Sequence, residues 1–321
     1  MRHLWEEAPK IEIFGVTLYS FGLYCAIGVL AYAAVTGILC HVSGKKKGTG
    51  ALLTILSIFF GLTVSRLVFC LLNHSSVGMT PLAAWPDVSS GGLSMFGMIL
   101  GVFLAARVCA GIMKENCCSL LDIVSCALPL MIAAERFGEH LFDGFNISRT
   151  VKDAFPAGTF LAVKDEFYGT SALATWLVSG ILALVLFLIL GIRFLRNNSS
   201  AGKQWITFLL LCGAGGICLE SLRFDYHLEY SFVYFQQIIS ALLLLWGIIL
   251  AGRRSGRKGL YIFALASFAV AAAVCGGVEF ALDRMNISHI LLYFMMAAAL
   301  AVPTVAGIIL LSGANERDEN R

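Results

Sequence analysis

Nine long apolar stretches dominate this sequence and decide what kind of structure the chain can form. Each runs for roughly 18 to 27 residues with few charges, and they cover 14–40, 51–72, 92–113, 119–138, 171–195, 205–222, 232–251, 260–282 and 287–312. About 20 helical residues cross the ~30 Å of hydrocarbon in a bilayer. Hydrophobic residues make up 59% of the chain and charged residues 13%, which leaves too little polar surface for a water-soluble globule. The sequence therefore predicts an all-α, polytopic integral membrane protein with about nine transmembrane helices.

Positive charge is distributed unevenly between the connections, and this predicts the orientation. Nine crossings place the two termini on opposite sides of the membrane. Thirteen of the 23 Lys and Arg residues fall on one predicted side, namely Lys45, Lys46, Lys47, Lys114, Arg193, Arg196, Lys203, Arg253, Arg254, Arg257, Lys258, Arg317 and Arg321. Six fall on the other side, and four lie within or at the ends of spans. The positive-inside rule then predicts a cytoplasmic C-terminus and an external N-terminus.

Composition argues against several other classes of protein. A formal net charge of only +3 gives no support for nucleic-acid binding. Eight of the ten cysteines fall inside apolar stretches, and the remaining pair, Cys117 and Cys118, is predicted to lie in a loop. The chain has no CxxC motif at that pair and no His at a ligand spacing, so we expect neither a metal site nor a cofactor. The first apolar stretch lacks a small-residue cleavage site and is predicted to stay as a membrane span.

Ionisable and amide side chains inside the predicted spans gather in the outer half of the membrane. They are Arg66 in the second stretch; Glu135, Arg136 and Glu139 at the end of the fourth; Glu220 and Arg223 at the end of the sixth; Gln236 and Gln237 in the seventh; and Glu279 with Asp283 at the end of the eighth. Each ionised group costs about 2.5–3.5 kcal/mol to insert, so it needs a partner or a purpose. Because five different helices contribute, the sequence predicts one polar cavity that opens toward the outer leaflet.

Spacing along the helices adds a second constraint on this group. Glu135 and Glu139 are four residues apart and share a face, Arg136 and His140 share the adjacent face, and Glu220 and Arg223 are three residues apart. Arginine suits a phosphate, while carboxylates hold arginine side chains in place or move protons. Structural ion pairs near helix ends, with long side chains reaching the interface, are the alternative interpretation. The sequence leaves both open.

Small residues cluster at two places in the spans. The third stretch begins with Gly91 and Gly92, followed by Ser94 and Gly97. The sixth stretch contains a second group of glycines, Gly213, Gly215 and Gly216. Such residues permit either close approach of two helices or access for a lipid chain. Glycine alone does not decide between these interpretations.

Segments in the first 252 residues resemble the bacterial prolipoprotein diacylglyceryl transferase family. The likeness lies in VTLYSFGLYCAIG (Val16 to Gly28), SRLVFCLLN (Ser65 to Asn73), GGLSMFG (Gly91 to Gly97), LLDIVSCALPLMIAAERFG (Leu120 to Gly138), GGICLESLRFD (Gly215 to Asp225) and QQI (Gln236 to Ile238). The resemblance implies a membrane domain over 1–252. Residues 253–321 are then two additional transmembrane helices with a short cytoplasmic tail.

The resemblance implies an enzyme of the bacterial cytoplasmic membrane that needs no cofactor. Its partners are phosphatidylglycerol, the prolipoprotein signal peptide and membrane lipids, and it moves a diacylglyceryl group to the lipobox cysteine in the outer half of the membrane. The resemblance implies Glu220 and Arg223 as catalytic residues and Arg136 and Arg66 as phosphate-binding residues. Glu139 stands where the family pattern has an Asn, and its charge within the same polar group makes it a third catalytic candidate. The matching Gly-Gly and Gln segments imply Gly91, Gly92, Gln236 and Gln237 as supporting residues, and His140 is a candidate substitute for a family residue that this sequence lacks.

Departures from the family pattern keep other hypotheses open. Phe21 stands in place of a Tyr, Phe96 in place of a His or Tyr, and Gly216 and Cys212 in place of an Arg and a Tyr that precede the essential Glu. A second hypothesis is therefore a catalytically silent relative that binds a phospholipid or a lipoprotein precursor. A third, a small-solute transporter, requires a polar path through both leaflets, and the inner half offers only Asp122 and Arg107.

Overall fold

Nine long helices form most of the structure, a computed structural model that describes residues 10–13, 16–72, 85, 94–141, 159–164, 171–196, 201–223, 229–230, 233–285 and 287–313. The helices are α1 (Ser20–Val42), α2 (Thr49–Leu72), α3 (Met95–Met113), α4 (Cys117–Gly138), α5 (Thr175–Arg196), α6 (Lys203–Leu222), α7 (Phe235–Ser255), α8 (Lys258–Arg284) and α9 (His289–Gly313). Within the described residues all nine are long and apolar enough to span a bilayer. The predicted all-α polytopic membrane fold is confirmed.

Three short antiparallel strand pairs precede helices and move their starting points. β1 (Lys10–Ile13) pairs with β2 (Val16–Tyr19), β3 (Ala162–Lys164) with β4 (Ser171–Leu173), and β5 (Glu229–Tyr230) with β6 (Val233–Tyr234). Consequently α1 begins at Ser20 rather than at 14, and α5 begins at Thr175 rather than at 171. Three of the four residues in Val16–Tyr19 are β-branched or aromatic, a composition that favours strands, although the hydropathy of the segment resembles that of a span.

The chain forms two compact units. The first comprises 1–145 and 176–194 and holds α1 to α4 with most of α5; the second comprises 146–175 and 195–321 and holds α6 to α9. These units describe packing alone. The division of the sequence at residue 252, which followed the family resemblance, stays a prediction.

The loop predicted around Cys117 and Cys118 is wrong, because these residues open α4. Asn116 caps the helix: its Oδ1 accepts hydrogen bonds from the backbone N–H groups of Cys118 (2.9 Å) and Ser119 (3.4 Å). An Asn immediately before an apolar stretch is a helix-start signal, and the two cysteines follow it directly. All ten cysteines are free thiols.

Basic connections on the predicted cytoplasmic side contact their neighbours within each unit. In the first unit, Lys45 Nζ lies 3.4 Å from Glu115 Oε2, and the backbone N–H of Lys46 donates to Glu115 Oε1 at 3.1 Å, which lowers the pKa of that carboxyl. In the second, Arg254 Nη1 donates to the carbonyl of Ala201 at 2.7 Å. Each contact joins two connections that the charge distribution predicts to lie on one side; the orientation itself stays a prediction.

Glycines provide close helix contacts in both units. A Cβ added at Gly97 of α3 would lie 2.6 Å from Ser65 Cα in α2, and one added at Gly213 of α6 would lie 2.6 Å from Leu244 N in α7. The packing interpretation therefore applies to these glycines. By contrast, a Cβ at Gly215 would meet nothing within 4 Å.

Gly101→Val is expected to destabilise the first unit. Its new Cβ would clash with the carbonyl carbon and oxygen of Phe60 in α2, and backbone atoms cannot move aside as a flexible side chain does. Overpacking of this kind costs about 1–3 kcal/mol or more, so the melting temperature of the purified protein in detergent should fall. Gly111→Val in the same helix is the matched control, because a Cβ there meets nothing within 4 Å. Equal melting temperatures for the two variants would contradict this packing.

Candidate functional site

Arg136 anchors a polar cluster at the end of α4 in the first unit. Arg136 is 7% exposed, and its Nη1 donates to Glu139 Oε1 at 2.7 Å. Nη2 points to the sulfur of Met95, the first residue of α3, at 3.8 Å. The pairing arises because α4 ends at Gly138 and continues as a 3₁₀ turn, Glu139–Leu141. In that tighter turn, residues three apart stack over each other, which brings the Glu139 carboxylate over Arg136.

Two other candidates surround this pair. Glu135 is partly buried, and its Oε2 has no hydrogen-bond partner among the described residues. His140 is exposed, and its Nδ1 donates to the carbonyl of Phe137 at 2.5 Å. Tyr24 packs edge-on against the His140 ring at 5.6 Å between centroids, and Trp176 lies 5.3 Å from it on another side. The aromatic contacts hold the imidazole beside the Arg136 cluster.

Arg66 lies in α2 and is 5% exposed, so its charge is held away from water within the span. Its guanidinium carbon is 5.6 Å from the ring centroid of Phe69, a cation–π contact one helical turn away. The preceding residue, Ser65, fixes the start of α3: its hydroxyl donates to Ser94 O and accepts from Ser94 N–H, both at 2.7 Å. Gly91 and Gly92, the predicted supporting glycines, lie outside the described residues.

Glu220 and Arg223 form the second pair, at the end of α6 in the second unit. Glu220 is 4% exposed and Arg223 is 6% exposed, and Arg223 Nη1 lies 3.8 Å from Glu220 Oε1. The helix ends at Leu222, and Arg223 has extended backbone dihedral angles. Both side chains therefore leave a helix terminus, where the last carbonyl groups also lack intrahelical partners.

Gln237 of α7 contacts both α6 and α8. Its Oε1 accepts from the backbone N–H of Tyr234 at 3.0 Å, and its Nε2 donates to Ile217 O of α6 at 3.4 Å and to Glu279 Oε1 of α8 at 2.5 Å. The Tyr234 contact decides which end of the amide is oxygen. Gln236, the neighbouring candidate, is only partly buried.

Several residues at these clusters had no role assigned from sequence. Glu279 stood out as a charge inside a span, whereas its contact with Gln237 depends on helix packing that no local pattern reveals. Met95, Tyr24 and Trp176 are ordinary apolar or aromatic residues of a span, so sequence carried no signal for them. The expectation that all candidates line one cavity concerns both units and stays a prediction.

Three of the four positions that depart from the family pattern are packed against neighbouring residues or buried. A Cβ added at Gly216 would lie 2.5 Å from Ser240 Oγ and 3.1 Å from Ser240 Cβ, so α6 and α7 approach closely where the family pattern has an Arg. Phe21 packs on Gly138, since a Cβ there would lie 3.0 Å from Phe21 Cδ2. Phe96 is buried in α3.

Chemically, each cluster offers a guanidinium beside a carboxylate in surroundings of low exposure. A guanidinium there binds a phosphate strongly, because little water screens it, and a nearby carboxylate fixes its orientation or takes a proton. Among the described residues, no group of three or more His, Cys, Asp or Glu side chains has the arrangement of a metal site.

Comparison with known proteins gives one family. The family model described as prolipoprotein diacylglyceryl transferase matches residues 9–252. The phosphatidylglycerol–prolipoprotein diacylglyceryl transferase 2 of Clostridium perfringens is 25% identical over 256 residues, covering 77% of this chain and 96% of that protein. Phosphatidylglycerol–prolipoprotein diacylglyceryl transferases of Clostridioides difficile (24% over 243 residues, 76% and 93% covered) and Staphylococcus haemolyticus (23% over 247 residues, 76% and 86% covered) are also similar.

Proposed function

Because the chain belongs to the prolipoprotein diacylglyceryl transferase family, we propose that it transfers a diacylglyceryl group from phosphatidylglycerol to the lipobox cysteine of a prolipoprotein. The observation that carries this proposal is the buried Arg136–Glu139 pair, which lies in the segment that resembles the family's signature. The buried Glu220–Arg223 pair supports it in the second unit.

The proposed roles follow from charge and burial. Arg136 binds the lipid phosphate, Glu139 holds the guanidinium in place, and Arg66 adds a second positive charge. The cysteine sulfur attacks the phosphate-bearing carbon of the diacylglycerol unit. A carbon–sulfur bond forms there, and the bond between that carbon and the phosphate oxygen breaks. Glycerol-1-phosphate leaves with the electron pair, and arginine stabilises its developing charge. The thiol proton passes to a carboxylate, for which Glu220 beside Arg223 is the candidate.

We further propose where the protein acts and what it meets there. The excess of Lys and Arg on one side supports a multi-pass protein of the bacterial cytoplasmic membrane with a cytoplasmic C-terminus. The prolipoprotein signal peptide and phosphatidylglycerol then approach the outer half of the membrane. In this proposal residues 1–252 form the transferase domain and 253–321 an addition to it.

Expression in a bacterial strain depleted of its own transferase tests the proposal. The expected result is recovery of lipoprotein lipidation, seen as the mass increase of a reporter lipoprotein. The amount of the chain in the membrane is measured in parallel. Normal membrane levels without any mass increase would contradict the proposed reaction.

A second candidate function is a catalytically silent relative that binds a phospholipid or a lipoprotein precursor. Gly216 and Phe21 favour it, because close packing with Ser240 and Gly138 occupies positions where the family pattern has an Arg and a Tyr. This candidate predicts phosphatidylglycerol binding by the purified chain without release of glycerol-1-phosphate. Turnover that Arg136→Ala abolishes would rule it out.

A further inference from the structure

Helices α8 and α9 lie beyond the part of the chain that matches the family. The match ends at residue 252, whereas α8 covers Lys258–Arg284 and α9 covers His289–Gly313. The alignments with similar proteins include 86–96% of the length of those proteins but only 76–77% of this chain. The two helices are therefore an addition to the family domain.

Both helices nevertheless belong to the hydrophobic core that holds α6 and α7. This core combines Leu210 and Ile217 of α6 and Leu244 of α7 with Cys275 of α8 and with Leu292 and Met296 of α9. At Gly307 a Cβ would lie 2.9 Å from Leu210 Cδ2, so α9 packs closely on α6. Peripheral lipid-facing additions would not share a core in this way.

Two polar contacts connect the added helices to α6 on either side of Glu220, one through Gln237 of α7 and one directly. Glu279 of α8, which is 1% exposed, accepts from Gln237 Nε2 at 2.5 Å, and the same nitrogen donates to Ile217 O, three residues before Glu220. Tyr293 of α9 donates its hydroxyl to Ser221 O at 3.2 Å, one residue after Glu220. That carbonyl belongs to the last turn of α6, where helix carbonyls lack intrahelical partners.

Glu279 is well suited to hold the Gln237 amide in one orientation. Both Nε2 hydrogens have acceptors, Ile217 O and Glu279 Oε1, and the Gln237 oxygen already accepts from Tyr234. Removal of the Glu279 acceptor would leave a buried N–H without one of its partners, which is costly where water cannot replace it. The amide would then turn or shift, and the α6 end that carries Glu220 and Arg223 would lose a brace.

We propose that the added pair α8–α9 positions the end of α6 for the transfer reaction, with Glu279 acting through Gln237 and Tyr293 acting through Ser221. Glu279 is a positioning residue in this proposal, and it works as a hydrogen-bond acceptor. The inference rests on the proposed diacylglyceryl transfer. It assigns to a segment outside the family domain an indirect effect on the rate of that reaction, through the position of the α6 end.

The test compares Glu279→Met with Glu279→Gln in the purified full chain, using phosphatidylglycerol in detergent micelles and a lipobox peptide. Met matches the length of Glu but has no oxygen acceptor, whereas Gln keeps one. We expect kcat to fall about tenfold in Glu279→Met, the effect of a buried donor without its acceptor, with KM for phosphatidylglycerol nearly unchanged. Glu279→Gln should stay within about threefold of the unmodified chain.

Asp283→Asn is the matched control on the same helix. Asp283 is exposed and pairs with its neighbour Arg284 at 3.1 Å, so its substitution should leave kcat within about twofold. Combining Gln237→Met with Glu279→Met tests whether Glu279 acts through the amide. The double variant should be no slower than Gln237→Met alone, and losses that multiply would overturn the proposal.

Folding is followed by size-exclusion chromatography of each variant. Should Glu279→Met fail to fold, Tyr293→Phe decides the matter: it removes one hydroxyl and should lower kcat about threefold without changing the amount of folded protein. An unchanged kcat there would overturn the inference, as would an equally active Glu279→Met or a Glu279→Gln as slow as Glu279→Met. If the unmodified chain is active, these outcomes contradict the positioning role but not the proposed function. An inactive unmodified chain contradicts both the positioning role and the proposed function.

Discussion

Replacing Arg136 by alanine is expected to lower diacylglyceryl transfer by at least about a hundredfold, the usual effect of losing one donor to a developing negative charge. In the structure Arg136 is 7% exposed, so little water is available to replace its guanidinium. Its partner Glu139, 2.7 Å away, would keep its negative charge near the substrate phosphate after the positive charge of the arginine is gone, and would repel the phosphate. Both effects act in the same direction. The measurement is the rate of lipidation of a reporter lipoprotein in the depleted strain.

Two further substitutions sharpen the Arg136 prediction. Arg136→Lys keeps the charge but loses the planar fork that binds two phosphate oxygens, so we expect activity between those of alanine and arginine. Arg196→Ala, at the exposed end of α5, is the matched control and should not change the rate. A rate for Arg136→Ala equal to that of the control would remove Arg136 from the site.

Replacing Glu220 by glutamine is the second change with a large expected effect, a loss of about 10²–10⁴-fold if its carboxylate takes the thiol proton. Glutamine has nearly the same shape, so packing at this 4% exposed position is conserved while the base is lost. The substitution also leaves Arg223 without a carboxylate at 3.8 Å. Loss of one member of a buried ion pair destabilises proteins by about 3–5 kcal/mol, so the amount of folded protein should fall as well.

A double variant separates these two consequences. Glu220→Gln combined with Arg223→Gln removes both charges, and we expect it to restore the amount of folded protein relative to Glu220→Gln alone. Transfer should stay low, because the carboxylate is still missing. Recovery of transfer together with folding would show that Glu220 and Arg223 form a structural pair only.

Hydropathy alone was sufficient for the number and approximate position of the helices, because a span must be about 20 apolar residues long wherever it lies. It was not sufficient for their starting points. Val16–Tyr19 and Ser171–Leu173 are apolar enough to continue a span, yet each pairs with a second strand before the helix begins. Cys117 and Cys118 show the opposite error: they were predicted to lie in a loop, although Asn116 before them is a capping residue that indicates a helix start.

The candidate site was also predictable from the sequence only in part. Arg136, Glu139, Glu220 and Arg223 were predictable, because a charge inside an apolar span is conspicuous and a partner three residues away is close in any helix. The contact of Gln237 with Glu279 joins residues 42 positions apart and depends on how α7 and α8 pack. Met95 beside Arg136 is similar, since it is placed there by the hydrogen bonds between Ser65 and Ser94. Long-range packing of this kind leaves no local pattern in a sequence.

The most direct measurement uses the purified chain, phosphatidylglycerol with an isotope label in its glycerol headgroup, and a lipobox peptide. Mass spectrometry should show the peptide heavier by one diacylglyceryl group, and labelled glycerol-1-phosphate should be released in equal amount. Arg136→Ala, purified in the same way, should give neither product above background. Binding of labelled lipid by the unmodified, folded chain without either product would contradict the proposed transfer and leave the silent lipid-binding relative as the better description.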